Sequence, residues 1–155
     1  MIVRKMDVKD IEAVSAICCA SFSHSIADTL SEEGKETFAN IAANNAFLGR
    51  MKGDNLMLVS ENDKKIEGII ELKEGRHIAM LFISPDRQKK GIGRNLLSSA
   101  LKHAKVDTVT VSASLCSIPA YEKYGFECKG EAKESAGLVY QPMEIKLNGA
   151  KQTTK

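Results

Sequence analysis

At 155 residues the chain has the length of one domain rather than two. A hydrophobic fraction of 43% supplies one core, and 22 basic against 20 acidic side chains leave no excess charge that asks for a nucleic-acid partner. No apolar run approaches the ~20 residues that span a bilayer, and Met1 to Asp10 carries charges where a signal peptide has its apolar stretch, so a cytoplasmic location with no membrane partner is expected.

Residues 2–5 read as a short first strand. Asp7 offers an N-cap with Asp10 three residues on, and Ile11, Val14, Cys18 and Phe22 form one apolar stripe, which predicts a helix over Val8–Phe22. His24 to Asp28 reads as a loop. A second helix is expected from Ser31 to about Leu48, with Glu32 and Glu33 in its first turn and Phe38, Ile41 and Ala42 inward. Gly49 to Asn55 breaks that pattern. The period then changes. Leu56–Val59 reads as a short strand, Asn62-Asp63 as a turn, and Ile66, Ile70 and Leu72 as one strand face, with Gly68 at a close approach. Glu74-Gly75 turns the chain into a strand over His77–Ile83. These consecutive strands are expected to be antiparallel.

A polar segment, Ser84 to Gly93, leads into a helix whose Ile92, Leu96, Leu97, Ala100, Leu101 and Ala104 share one face. Asp107–Val111 alternates as a strand does, which implies a βαβ crossover and one parallel pair. Ser117–Tyr124 reads as a short helix ended by a left-handed Gly125. Phe126–Lys129 and Leu138–Leu147 close the pattern as a strand pair. The four cysteines, Cys18, Cys19, Cys116 and Cys128, form no CxxC pair, so reduced thiols and no metal are expected.

The segment Gln88-Lys89-Lys90-Gly91-Ile92-Gly93-Arg94 carries the clearest chemistry. A strand ends, a glycine-rich turn follows and a helix begins. The first turn of a helix has N–H groups without internal partners, and its dipole favours an anion there. Glycine lets a phosphate approach the main chain, and Lys89, Lys90 and Arg94 add positive charge. A pyrophosphate suits the place; a plain turn with a solvated basic face is the alternative. The P-loop pattern is absent, and leucine stands where a dinucleotide fingerprint has its third glycine.

Gln88-x-x-Gly91-x-Gly93 after Ile83-Ser84-Pro85 resembles the acetyl-CoA motif of the GCN5-related N-acetyltransferases. Tyr121-Glu122-Lys123-Tyr124-Gly125-Phe126 resembles that family's second signature, and the order of elements is similar from Ile2 to Leu147. The resemblance implies an α/β fold of the GNAT type: a mixed, mostly antiparallel sheet flanked by helices, with a parallel pair at the cofactor site. It implies a domain over 1–148 followed by a polar tail at 149–155. It also implies an enzyme that passes an acetyl group from acetyl-CoA to a primary amine by direct attack in a ternary complex. The pantetheine arm is then held by Leu81, Phe82 and Ile83, and the pyrophosphate by Gln88, Lys89, Lys90, Gly91, Ile92, Gly93 and Arg94. Tyr121 becomes the acid that protonates the leaving sulfur, unless it is a core residue of an amphipathic helix. Tyr124 is given a packing role.

Ser114 stands where the family often has a cofactor-binding asparagine. The family's frequent glutamate base has no match, so Glu71 and His77 are the nearest candidates. An amine arriving neutral, or a base acting through water, is preferred to either. A nucleophilic Cys116 is set aside, because no His and acidic partner stands at a recognisable spacing. The acceptor-selecting region falls on Phe22, His24, Ser25, Asp28 and Phe47 and names no substrate. The expected partners are acetyl-CoA and an amine, in a monomer or homodimer. The alternative is a module that binds acetyl-CoA as a sensor, without catalysis.

Overall fold

A computed structural model describes residues 2–25 and 30–147. The elements run β1 (Ile2–Lys5), α1 (Ile11–Ser25), α2 (Glu32–Ile41), α3 (Asn44–Met51), β2 (Asn55–Asn62), β3 (Lys65–Lys73), β4 (His77–Ile83), α4 (Ile92–Leu101), β5 (Thr108–Ala113), α5 (Ile118–Tyr124), β6 (Glu127–Cys128), β7 (Lys133–Ser135) and β8 (Leu138–Lys146). The sheet order is β1-β2-β3-β4-β5-β8-β6, with β7 paired to β8. Only β4 and β5 are parallel; every other pair is antiparallel. This is the mixed α/β sheet expected from the sequence. Among the described residues no helix is long and apolar enough to cross a membrane.

Two apolar cores sandwich the sheet. On one face Val14, Cys18, Phe22, Phe38 and Phe47 pack with Val59, Ile69 and Met80. On the other, Leu96, Leu97, Ala100 and Tyr121 pack with Ile70, Leu72, Ile78, Val109 and Val111. Strand β3 therefore lies buried from Glu67 to Leu72, not on alternate residues. Ile70 and Leu72 mark its α4 face, whereas Ile66 and Ile69 serve the other. Burying each of these large aliphatic side chains stabilises by ~1.5–3 kcal/mol. A Cβ at Gly68 would lie 2.8 Å from Ile83 Cδ1 and 3.1 Å from the Phe82 carbonyl oxygen, which explains the glycine at that close approach.

Asp7 caps the short 3-10 turn Val8–Asp10 with Asp10 completing the capping box, and α1 follows without a break. Helix α1 continues through His24 and Ser25, so the expected loop is shorter at its start; residues 26–29 lie outside the described residues. The single helix expected from Ser31 to Leu48 is two helices, broken at Ala42 and Ala43. Neither alanine predicts a break. The cause is tertiary: Ser15 Oγ donates to the Ala42 carbonyl at 2.5 Å, and Arg50 Nη1 donates to the Ile41 carbonyl at 3.0 Å. Helix α3 then runs past Gly49 to Met51. Strand β7 was not expected, because Lys-Glu-Ser offers no apolar alternation; it pairs with β8 across a turn at Ala136 and Gly137, both at positive φ. The expected polar tail at 149–155 lies outside the described residues.

Candidate active site

The site begins with a parting of strands. Pairing of β4 with β5 lasts two registers, His77 with Thr110 and Ile78 with Val111. On its other edge β4 pairs with β3 all the way to Ile83. Ala79 is the extra residue of a bulge on that side, since Glu71 pairs with Met80 and Leu72 with Ile78. A bulge bends its strand, and the pairing with β5 ends at Ile78, just before it. From Ala79 onward β4 thus has a backbone edge without a strand partner, and such groups need another partner.

A cleft of about 670 Å³ runs through the parting. Leu81, Phe82, Ile83, Gln88, Lys89, Gly93, Arg94, Ser114 and Tyr121 line it. Lys90 and Gly91 are exposed on the turn beside it. Ile92 is buried in the core beneath, so only its backbone can serve a ligand there. Glu71 and His77 are not brought to the cleft. Glu71 is 1% exposed on β3, with both carboxylate oxygens 3.1 Å from Arg50 Nε. Burial raises its pKa and Arg50 opposes the rise. His77 lies at the far end of β4, beside a second depression, with Nδ1 2.8 Å from Thr110 Oγ1. Burial, helped by Lys73 and Arg76, holds it below the usual histidine range.

The turn before α4 is left-handed at Lys89 (φ 65°) and at Gly91 (φ 82°). No side chain caps α4, so its first-turn N–H groups are free of that competitor. A Cβ built on Gly91 meets nothing within 4 Å, which leaves open space against the backbone. Donors, dipole, neighbouring cations and room together fit a pyrophosphate. Gly93 answers a different need. A Cβ there would lie 2.6 Å from the Tyr124 hydroxyl, and the Arg94 guanidinium sits 5.3 Å from that ring's centre. Tyr124 therefore props the start of α4 from α5.

Tyr121 lies one turn earlier on α5, whose start carries Pro119 and whose end is the left-handed Gly125. Its ring meets Tyr124 and Phe126 edge-on, at 5.9 and 5.3 Å between centres. It is 6% exposed, and its hydroxyl makes no protein hydrogen bond among the described residues. Burial, and secondarily Tyr124, raises the phenol above its ordinary 10.0, so the oxygen keeps its proton at neutral pH. Ser114 Oγ shares a hydrogen bond with Ser117 Oγ at 2.6 Å. Gln88 Nε2 and Ser21 Oγ both donate to the Ile83 carbonyl, at 3.2 and 2.6 Å.

Ser21 was not legible as a site residue, being one of several serines on α1 with no motif around it. Leu138, Val139 and Tyr140 of β8 also line the cleft without a motif. Of the residues expected to select the acceptor, Phe22 lines it and Phe47, on α3, is fully buried in the core. His24 is exposed and not among the lining residues. Asp28 and the Ser25 side chain lie outside what the structure describes. All four cysteines are free thiols; burial pushes Cys18 up to about 12, and Cys19, Cys116 and Cys128 are exposed.

The fold is shared with known proteins. A GCN5-related N-acetyltransferase of Rhodopseudomonas palustris is 27% identical with a TM-score of 0.84, over 94% of this chain and 95% of that one. The PaiA N-acetyltransferase of Thermoplasma acidophilum, solved in complex with coenzyme A, is 23% identical with a TM-score of 0.78, over 94% and 98%. UPF0157 protein YqkA of Bacillus subtilis is 30% identical over 82 residues; the match spans 48% of this chain and only 24% of that relative. The family model described as an acetyltransferase (GNAT) domain matches residues 26–147. That match covers most of the chain, from before α2 to the end of β8, and establishes that the chain belongs to the GNAT acetyltransferase family.

Proposed function

We propose that the chain is an N-acetyltransferase that moves an acetyl group from acetyl-CoA to a primary amine, with both bound at once. The carrying observation is the parting of β4 from β5, with the left-handed Gly91 turn and the Tyr121 hydroxyl along one cleft. The backbone of Lys89–Arg94 would hold the pyrophosphate, with Lys89, Lys90 and Arg94 supplying charge. The open edge of β4 at Leu81, Phe82 and Ile83 would align the pantetheine arm, and Ser114 would add a hydroxyl. When bound, acetyl-CoA supplies an acyl thioester whose acetyl group passes to the amine nitrogen. A backbone N–H at Leu81 or Phe82 would polarise the acyl oxygen. Tyr121 Oη would give its proton to the departing sulfur. Holding amine and thioester side by side in the parted sheet supplies the proximity term.

Among the described lining residues there is no aspartate, glutamate or histidine. The amine is therefore expected to arrive neutral or to lose its proton to water. Glu71→Gln and His77→Ala should each keep activity within about tenfold of the parent, below the 10²–10⁴ of a direct base. The pH–rate midpoint should follow the acceptor's own basicity. The check is a profile for each variant with two acceptors of different pKa. A thousandfold loss with intact CoA binding would make that residue the base.

Calorimetric titration tests the reading at the binding step. CoA and acetyl-CoA should bind with similar affinity, and ATP much more weakly. Gly91→Val should weaken both CoA species by at least about tenfold, ~1.4 kcal/mol, by filling the open space. It should also destabilise the fold by ~1–2 kcal/mol because its φ is left-handed. Unchanged CoA affinity in Gly91→Val would remove the turn from the site.

A further inference from the structure

We infer that the acceptor is a primary amine with an uncharged, apolar body, an arylalkylamine being the best-fitting form. This deepens the transferase reading above and rests on it. The cleft passes through the sheet and is walled by both cores. Leu81, Ile83, Tyr121 and Tyr124 belong to the α4–α5 side. Phe22, Phe38, Ile41, Phe82 and Leu138 belong to the α1–α3 side, where the acceptor half remains once the phosphate turn is assigned to CoA.

That half is aromatic. Phe22 and Phe38 stack with centres 4.0 Å apart and planes 5° apart, and Phe82 meets Phe38 edge-on at 5.5 Å. A ligand ring gains edge and face contacts on such a wall. The wall is also held firmly. Gly34 on α2 and Gly137 in the β7–β8 turn touch backbone to backbone, and Thr37 Oγ1 donates to the Ala136 carbonyl at 2.7 Å.

Charge completes the case. The cations lining the cleft, Lys89, Arg94 and Lys123, all stand on the α4–α5 side, and no carboxylate lines it among the described residues. Ser21 Oγ is already committed to the Ile83 carbonyl. A second ammonium on the acceptor, or a carboxylate, would find no oppositely charged partner on that side among the described residues, which is costly.

The test compares acceptors that differ by one charge: 2-phenylethylamine with phenylalanine, and pentylamine with 1,5-diaminopentane, each with acetyl-CoA. The uncharged-bodied member should have the higher kcat/KM, by about a hundredfold within the first pair. Val139→Asp places a carboxylate on the rim, at a residue 37% exposed. It should shift the pentylamine-to-diaminopentane ratio toward the diamine by about fivefold, the scale of an exposed ion pair. Equal or better transfer to phenylalanine or the diamine by the parent protein, or no transfer to 2-phenylethylamine, would overturn the inference while leaving the transferase reading intact. Failure to bind acetyl-CoA in calorimetry would overturn both.

Discussion

Tyr121→Phe should lower kcat by about a hundredfold, the low end of general acid catalysis, and leave CoA affinity unchanged. The phenol keeps its ring contacts with Tyr124 and Phe126 when the oxygen is removed, and that oxygen holds no protein group in place among the described residues. Stability should therefore change by less than about 0.5 kcal/mol. Because burial raises this phenol above 10.0, Tyr121 should put no descending limb on the pH–rate profile at or below pH 10. Tyr124→Phe is the control. Its hydroxyl sits over Gly93 at the phosphate turn, so its loss should act on CoA affinity and spare the chemical step. Single-turnover rates at saturating acetyl-CoA separate the two. A slow Tyr124→Phe beside a normal Tyr121→Phe would move the acid role to the second ring.

Arg50→Ala should destabilise the fold by about 3 kcal/mol at neutral pH, within the range for breaking a buried ion pair from one side. Arg50 is the ion-pair partner of Glu71, whose side chain is 1% exposed. The same substitution strips a donor from the Ile41 carbonyl at the α2–α3 break and a cation 4.7 Å above the Phe47 ring. The pH dependence has a definite sign. Glu71 already binds its proton more tightly in the folded state than at its ordinary 4.5, and losing Arg50 strengthens that preference. The folded state then carries the extra proton as pH rises above 4.5, so stability falls with rising pH through that window. The gap between parent and variant should narrow on acidification. Replacing both partners by apolar residues, Arg50→Met with Glu71→Leu, should restore most of the loss. Urea melts at two pH values check all of this. A loss below about 1 kcal/mol would mean that the pair contributes no more than a surface bridge.

The sequence was legible where one local rule decides the structure. Gly125 ends α5 at φ 105° because a helix needs a left-handed terminator there. The turn at Asp63 and the crossover through α4 were likewise written locally, and the parallel pairing of β4 with β5 followed from that crossover. The α2–α3 break was illegible because two alanines favour helix, and the carbonyls there bond instead to Ser15 on α1 and to Arg50 at the end of α3. The bulge at Ala79 left no mark in an apolar strand. Glu71 is a base candidate in the sequence only as a titratable group near strands that lack the family's glutamate. Its partner Arg50 stands in the last turn of α3, beyond Leu48, where the apolar pattern predicts no helix. Of the acceptor wall, Phe22 was named from the sequence, while Phe38 and Leu138 join it only through the packing of α2 against β8, which no local pattern marks.

Acetyl transfer is measured most directly as the paired yield of free CoA and N-acetylated amine in one reaction, both quantified by chromatography with mass detection. The expected result is one-to-one appearance of the two products over many turnovers with 2-phenylethylamine, slowed about a hundredfold in Tyr121→Phe. Tight binding of acetyl-CoA with no amine-dependent release of CoA, across a broad set of amines, would contradict it and leave a protein that binds acetyl-CoA without using it.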